Sequence, residues 1–174
     1  MTNFLKYGLM AGLLYGAYAL ILQFTGSDLR FNTTLAFAMI LLLPIIFMVM
    51  AIKSERIQQE GLISFGEALK TSFLTYLVFI VIAVIVGQLM IQMYSPSDWD
   101  RMVELQREMV SGMFGAVGMD QLQIDDELDK INVETIKEQA TGIGALLIGI
   151  VTYAFVGLIT SLIISAIMKK NPTP

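Results

Sequence analysis

The chain has 174 residues, 56% of them hydrophobic and only 15% charged, with a net charge of −4 and a mean hydropathy of +0.71. Soluble domains run about 45–50% apolar and about 25% charged, so lipid rather than water is the expected solvent. Neither cysteine nor histidine occurs, which removes disulfides, His/Cys zinc sites, haem ligation, thiol or imidazole nucleophiles and any imidazole base.

A membrane helix needs about 20 largely apolar residues to cross about 30 Å of hydrocarbon. Four stretches qualify: about 4–25, 34–52, 65–94 and 141–168. In the first, Ala17-Tyr18-Ala19 has the small-x-small form of a leader cleavage site. It lies inside the apolar run, however, and Lys6 is the only basic flank, so a span is expected there. Pro44 falls inside the second span, where it removes one backbone donor and should kink the helix. The third is 30 residues long, roughly 45 Å at about 1.5 Å per residue, and should tilt or protrude.

Charge placement then gives orientation. Lys6, Lys53, Arg56, Lys70, Lys169 and Lys170 fall on one side, crowded at span ends and in short loops, with Glu55, Glu60 and Glu67. Arg30, Arg101, Arg107, Lys130 and Lys137 fall on the other side with twelve acids. The positive-inside bias counts basic residues close to span ends, so both termini are expected in the cytoplasm. The location implied is a bacterial inner membrane, crossed several times.

Ser64-Phe65-Gly66-Glu67 reads as a capping box opening the third span. The Ser64 hydroxyl accepts from the Glu67 amide, and the Glu67 carboxylate reaches back to the Ser64 amide. A carboxylate in the first turn also complements the helix dipole. Lys70, three residues on, is close enough to pair with Glu67 and to snorkel to the headgroups. The functional alternative makes Glu67 a proton-relay or substrate-binding acid; its place at the interface favours the cap.

The stretch GLISFGEALK, Gly61 to Lys70, follows two spans and precedes a long third one. It resembles the signature of a bacterial four-span membrane family, domain of unknown function 4199. The resemblance extends to the short first loop, the long segment after the third span and the basic C-terminus. It implies a fold plan and a location but no reaction. It is also the ground for linking the alternative function below to lipid-linked sugar metabolism.

Small residues mark helix contacts in lipid, because no hydrophobic force draws helices together there. Gly8, Gly12 and Gly16 form two overlapping G-x-x-x-G units in the first span. Ala145, Gly149, Gly157, Ser161 and Ser165 form a comparable stripe in the fourth, interrupted by Tyr153. These two faces are expected to meet within the chain, with a homodimer contact as the alternative. Gly87 is a candidate for a similar contact.

Between Tyr94 and Ala140 the chain holds eleven acids and four bases. The single membrane domain, 1–174, thus carries an extracytoplasmic helical insertion at 95–140. Pro96 should stop the third helix, with Ser97 and Asp100 capping the next. Trp99, Met102, Val103, Met109, Val110, Met113 and Phe114 then follow approximate helical spacing, up to a Gly-rich break at 111–119. A further helix should start near Asp125 or Asp126 with Leu128, Ile131 and Ile136 on one face, running on towards the fourth span. The two apolar stripes would pack on each other and on the span ends, dock a partner, or lie on the membrane. DDELD, Asp125 to Asp129, fits the D-D-x-x-D pattern of Mg²⁺-diphosphate sites but lacks a second facing motif, so a solvated helix start explains it.

No span carries an ionisable residue near its middle, and no phosphate loop, nucleophile elbow or basic nucleic-acid patch occurs. The expected fold is all-α, a four-helix transmembrane bundle with an acidic helical cap on the outer side. The expected role is non-enzymatic, without cofactor or metal: an accessory or structural subunit that binds another membrane protein or forms a homo-oligomer. The candidate partner surface is Trp99, Met102, Val103, Met109, Met113 and Phe114. The alternative is a small transporter or lipid-handling protein, with a polar cavity lined by Glu67, Gln88, Gln92 or Tyr153.

Overall fold

The computed structural model describes residues 2–26 and 28–170, apart from the side chains of Thr33, Ile143 and Ala145. In chain order the helices are α1 (Asn3–Phe24), α2 (Thr33–Gln58), α3 (Phe65–Gln92), α4 (Pro96–Ala116), α5 (Gln121–Asp129), α6 (Val133–Thr141) and α7 (Ile143–Met168), with a 3₁₀ turn at Asp28–Phe31. Among the described residues four helices are long and apolar enough to cross a membrane: Asn3–Phe24, Thr34–Gln58, Phe65–Gln92 and Leu146–Met168. At about 1.5 Å per residue each spans the hydrocarbon of a bilayer. The chain is thus an all-helical membrane protein.

It forms two compact units, one of residues up to Gly87 together with those from Ile148 onward, the other Gln88–Leu147. The second is wider than the insertion expected at 95–140. Its core recruits Ile91 from the end of α3 and Tyr94 just after it, and Gln88 Nε2 donates to the Ala140 carbonyl at 3.1 Å.

In the first unit α1, α2, α3 and α7 bury a core centred on Met48, Ile52, Tyr76, Phe79 and Ile80. Large apolar side chains such as Leu13, Phe37, Phe155 and Ile163 are exposed, as expected for an exterior that meets acyl chains. Pro44 is buried and α2 continues through it. α2 also runs past the expected end at Ile52 to Gln58, because its last turns are tied to the start of α1. Asn3 Nδ2 donates to Glu55 Oε2 at 2.7 Å and to Gln58 Oε1 at 3.0 Å, while Ser54 Oγ donates to Asn3 Oδ1 at 3.2 Å.

Among the described residues, the glycines of α1 and Gly157 of α7 take side chains of α3 rather than of each other's helix. A Cβ on Gly8 would lie 2.6 Å from Val78 Cβ, one on Gly12 2.5 Å from Ile82 Cδ1, and one on Gly16 3.2 Å from Val86 Cγ2. Val78, Ile82 and Val86 share the four-residue spacing of the glycines, so each β-branched side chain fills the groove that a missing side chain leaves. Gly157 receives the ring of Tyr76 in the same way. Ser161 and Ser165 are fully buried; Ser161 Oγ donates to the Gly157 carbonyl at 2.7 Å, and Ser165 Oγ lies 3.1 Å from Ser72 Oγ. Gly149 departs from this pattern, since a Cβ there meets nothing within 4 Å. Eight residues from Gly157 carry it about 80° round the helix, off the contact face. Gly87 is equally open, and the Ala145 side chain lies outside the described residues.

The second unit packs α4 against α5 and α6 around Trp99, Ile131 and Ile136. α4 opens with a full capping box, but on Ser95 and Asp98 rather than Ser97 and Asp100. Ser95 N donates to Asp98 Oδ2 at 2.9 Å and Asp98 N to Ser95 Oγ at 3.4 Å. Pro96 takes the first helical position, where its missing N–H costs nothing, so it starts a helix as much as it ends one. The glycines at 112 and 115 stay helical, and the break falls at Gly118, whose φ is +76°. The single helix expected from Asp125 or Asp126 is two short ones. Asn132 caps the second, its side chain accepting from Thr135 N at 2.9 Å, and an Asn cap competes well with helix continuation.

Candidate functional site

Two places combine exposure with chemistry, one in each unit. The first is built on GLISFGEALK. Glu60 and Gly61 both take positive φ, 56° and 89°, to turn the chain out of α2; the second value suits glycine because it has no Cβ. Ile63 then forms an antiparallel bridge with Lys170, Ile63 N to the Lys170 carbonyl at 3.0 Å and Lys170 N back at 2.9 Å. The chain's basic tail is thereby fixed beside the start of α3.

At that start Ser64 N donates to Glu67 Oε2 at 3.1 Å, the Ser64 hydroxyl donates to the same oxygen at 2.8 Å, and Glu67 N donates to Ser64 Oγ at 3.3 Å. Glu67 is turned back onto its own helix end through Oε2 alone. Lys70, expected to pair with it, makes no ion pair among the described residues, because the carboxylate faces Ser64 instead. Beside them opens a cavity of about 330 Å³, lined by Asn3, Glu55, Gln58, Glu67, Lys70 and Thr71 among others. Asn3, nine-tenths buried, positions Glu55 on its wall. Sequence reading found Glu67 and Lys70 but missed the cluster of Asn3 with Glu55 and Gln58, because Asn3 lies more than fifty positions from the other two.

The second place is the surface of α4. The sequence grouped Trp99, Met102, Val103, Met109, Met113 and Phe114 as one stripe. The structure divides them. Trp99 is buried, its ring 5.5 Å from that of Tyr94 in an edge-on arrangement, with Lys137 Nζ 5.3 Å above it. Met102 and Val103 pack on the same core, and Phe114 is half-buried. These four are therefore not a free surface. Met109 and Met113 are 60% and 56% exposed, and Val117 and Leu122, further along the chain, are exposed as well. The apolar arc of α4 is wider than α5 and α6 cover, so one edge packs and the other faces out. From Met109 to Met119 no charged residue occurs.

Of the remaining expectations, Gln88 is engaged by the Ala140 carbonyl and Tyr153 is 38% exposed. In DDELD, Asp125 Oδ1 accepts from Gln121 at 2.9 Å and Glu127 pairs with Lys130. These are local helix contacts; the cluster closes α5 rather than opening a helix, because α5 already starts at Gln121.

A membrane-spanning α-helical protein with a helical unit inserted before its last span is the class these features define. Within that class the chain matches the profile of a family described as "Protein of unknown function (DUF4199)" over residues 6–170, and it belongs to that family. No curated protein and no solved structure matches it.

Proposed function

We propose that this protein is an accessory or structural subunit of the bacterial inner membrane, holding another membrane protein through the exposed edge of α4. In this reading both termini are cytoplasmic and Gln88–Leu147 lies outside. The crowding of Lys6, Lys53, Arg56, Lys70, Lys169 and Lys170 at span ends supports that orientation.

One observation carries the reading: the exposed apolar residues Met109, Met113 and Val117 on a segment, 109–119, without charge, at the end of a helix that is not among those apolar enough to cross a membrane. Contiguous apolar surface left in water marks an interaction site. Methionine suits it, because a flexible thioether adapts to a partner surface. A solvated face would be charged, as Asp100, Arg101, Glu104 and Glu108 are on the opening turns of the same helix.

The test is gentle detergent extraction of the tagged protein from its own membranes, with mass spectrometry of what co-purifies. A stoichiometric membrane protein, lost from the Met109→Gln/Met113→Gln variant and retained by Glu104→Gln, is the expected result. Recovery of the chain alone, with and without the substitutions, contradicts it.

A further inference from the structure

The cavity at the start of α3 has a chemistry that the partner reading does not use. Its walls come from α1, α2 and α3, and it holds two carboxylates and one ammonium. Glu55 takes the Asn3 amide on Oε2, and Glu67 takes Ser64 on Oε2. Among the described residues, the Oε1 oxygen of each has no protein donor. Lys70 lines the same space and makes no ion pair among the described residues, although Glu67 is three residues away. Charges in a partly enclosed site interact more strongly than in bulk water. A simple anion there would gain Lys70 but face two carboxylates; a simple cation would gain the carboxylates but face Lys70. A ligand carrying both signs satisfies all three groups.

We propose that this cavity binds a phosphoester bearing a primary ammonium, an aminoethyl phosphate. Glu55 and Glu67 take the ammonium through Oε1, and Lys70 takes the phosphate. The free oxygens and the neighbouring Gln58 carbonyl are acceptors and need N–H donors. That need selects a primary ammonium, with three N–H groups, over a quaternary one, which has none. The volume, about 330 Å³, admits such a group. The cavity opens less than two turns before Tyr76, where α3 becomes continuously apolar, close to the depth at which a bilayer carries its headgroups. The same chemistry occurs on a phospholipid headgroup and on the free water-soluble phosphoester.

Native mass spectrometry of the full-length protein in detergent, titrated with phosphatidylethanolamine, phosphatidylcholine and phosphatidylglycerol, tests the site. The expected result is at least tenfold tighter binding of the ethanolamine lipid than of either other lipid, weakened at least fivefold by Lys70→Gln and by Glu55→Gln. Lys70 holds no protein partner, so Lys70→Gln keeps the fold and carries the test if Glu55→Gln does not. Equal binding of the three lipids, or binding indifferent to Lys70→Gln, overturns the proposal, unless O-phosphoethanolamine added alone binds the wild-type protein and not Lys70→Gln. That outcome sustains the chemistry and assigns the soluble source. Displacement of bound lipid by O-phosphoethanolamine also supports the shared site. Retention of the protein partner does not depend on Lys70, so the two readings fail separately.

Discussion

Gly157 lies against the ring of Tyr76 so closely that a Cβ at that position would stand 2.1 Å from Tyr76 Cδ1. Tyr76 is itself buried, its ring 6.0 Å from that of Phe79 and tilted to it by 55°, so it has no room to withdraw. Gly157→Ala should therefore destabilise the first unit by about 1–3 kcal/mol, the cost of overpacking a filled site. Gly149→Ala on the same helix should stay within about 0.5 kcal/mol. Reversible unfolding in mixed micelles measures both, and equal effects would sink the packing scheme.

The hydroxyls of Ser72 and Ser165 link α3 to α7 at 3.1 Å in a fully buried setting. Ser72 Oγ also has a route back to its own helix, reaching the Ala68 carbonyl at 2.8 Å. The coupling should accordingly be modest. A double-mutant cycle with Ser72→Ala and Ser165→Ala is expected to return about 0.6 kcal/mol. A coupling near zero would mean that the two hydroxyls serve their own helices alone.

The choice of cap on α4 is directly testable. Ser95→Ala removes the acceptor for the Asp98 amide and should cost about 1 kcal/mol, seen as faster hydrogen exchange over the first turn. Ser97→Ala touches only the Ser95 hydroxyl, at 2.9 Å, and should leave those amides protected. Faster exchange in Ser97→Ala than in Ser95→Ala would restore the capping pair at 97 and 100.

Within the second unit, Trp99→Ala should cost about 3–5 kcal/mol, as for other buried tryptophans. Met113→Gln should change stability by less than about 0.5 kcal/mol. Thermal unfolding followed by near-ultraviolet circular dichroism separates them. A destabilising Met113→Gln would place that side chain in the core rather than on the surface.

What was legible in the sequence follows from the range of the forces involved. Spans and the Ser64–Glu67 cap are local: they need only a window of apolar residues or four consecutive positions. Which face packs on which is not local. Gly8, Gly12 and Gly16 announce a groove, but nothing near them says that Val78, Ile82 and Val86 fill it. A small-residue face is complementary to a bulky one, and pairing it with the other glycine-bearing helix reverses that logic. Ser97 was the wrong cap for a related reason. Two serines flank Pro96, and the pyrrolidine ring fits the first helical position, which makes Ser95 the residue before the helix. The α4 stripe misled because its apolar residues are contiguous around the helix, so spacing alone does not show where α5 and α6 stop covering it. The cavity was invisible for want of any sequence link between Asn3, Glu55 and Glu67.

The central claim is that the outward edge of α4 holds a protein partner. The most direct measurement is photocrosslinking in native membranes with a benzophenone amino acid placed at Met113, at Met109 and, as a control, at Glu104. The account expects one discrete protein adduct from Met109 and Met113 and none from Glu104. Adducts to lipid alone from both methionine positions, or the same pattern from all three, would contradict it.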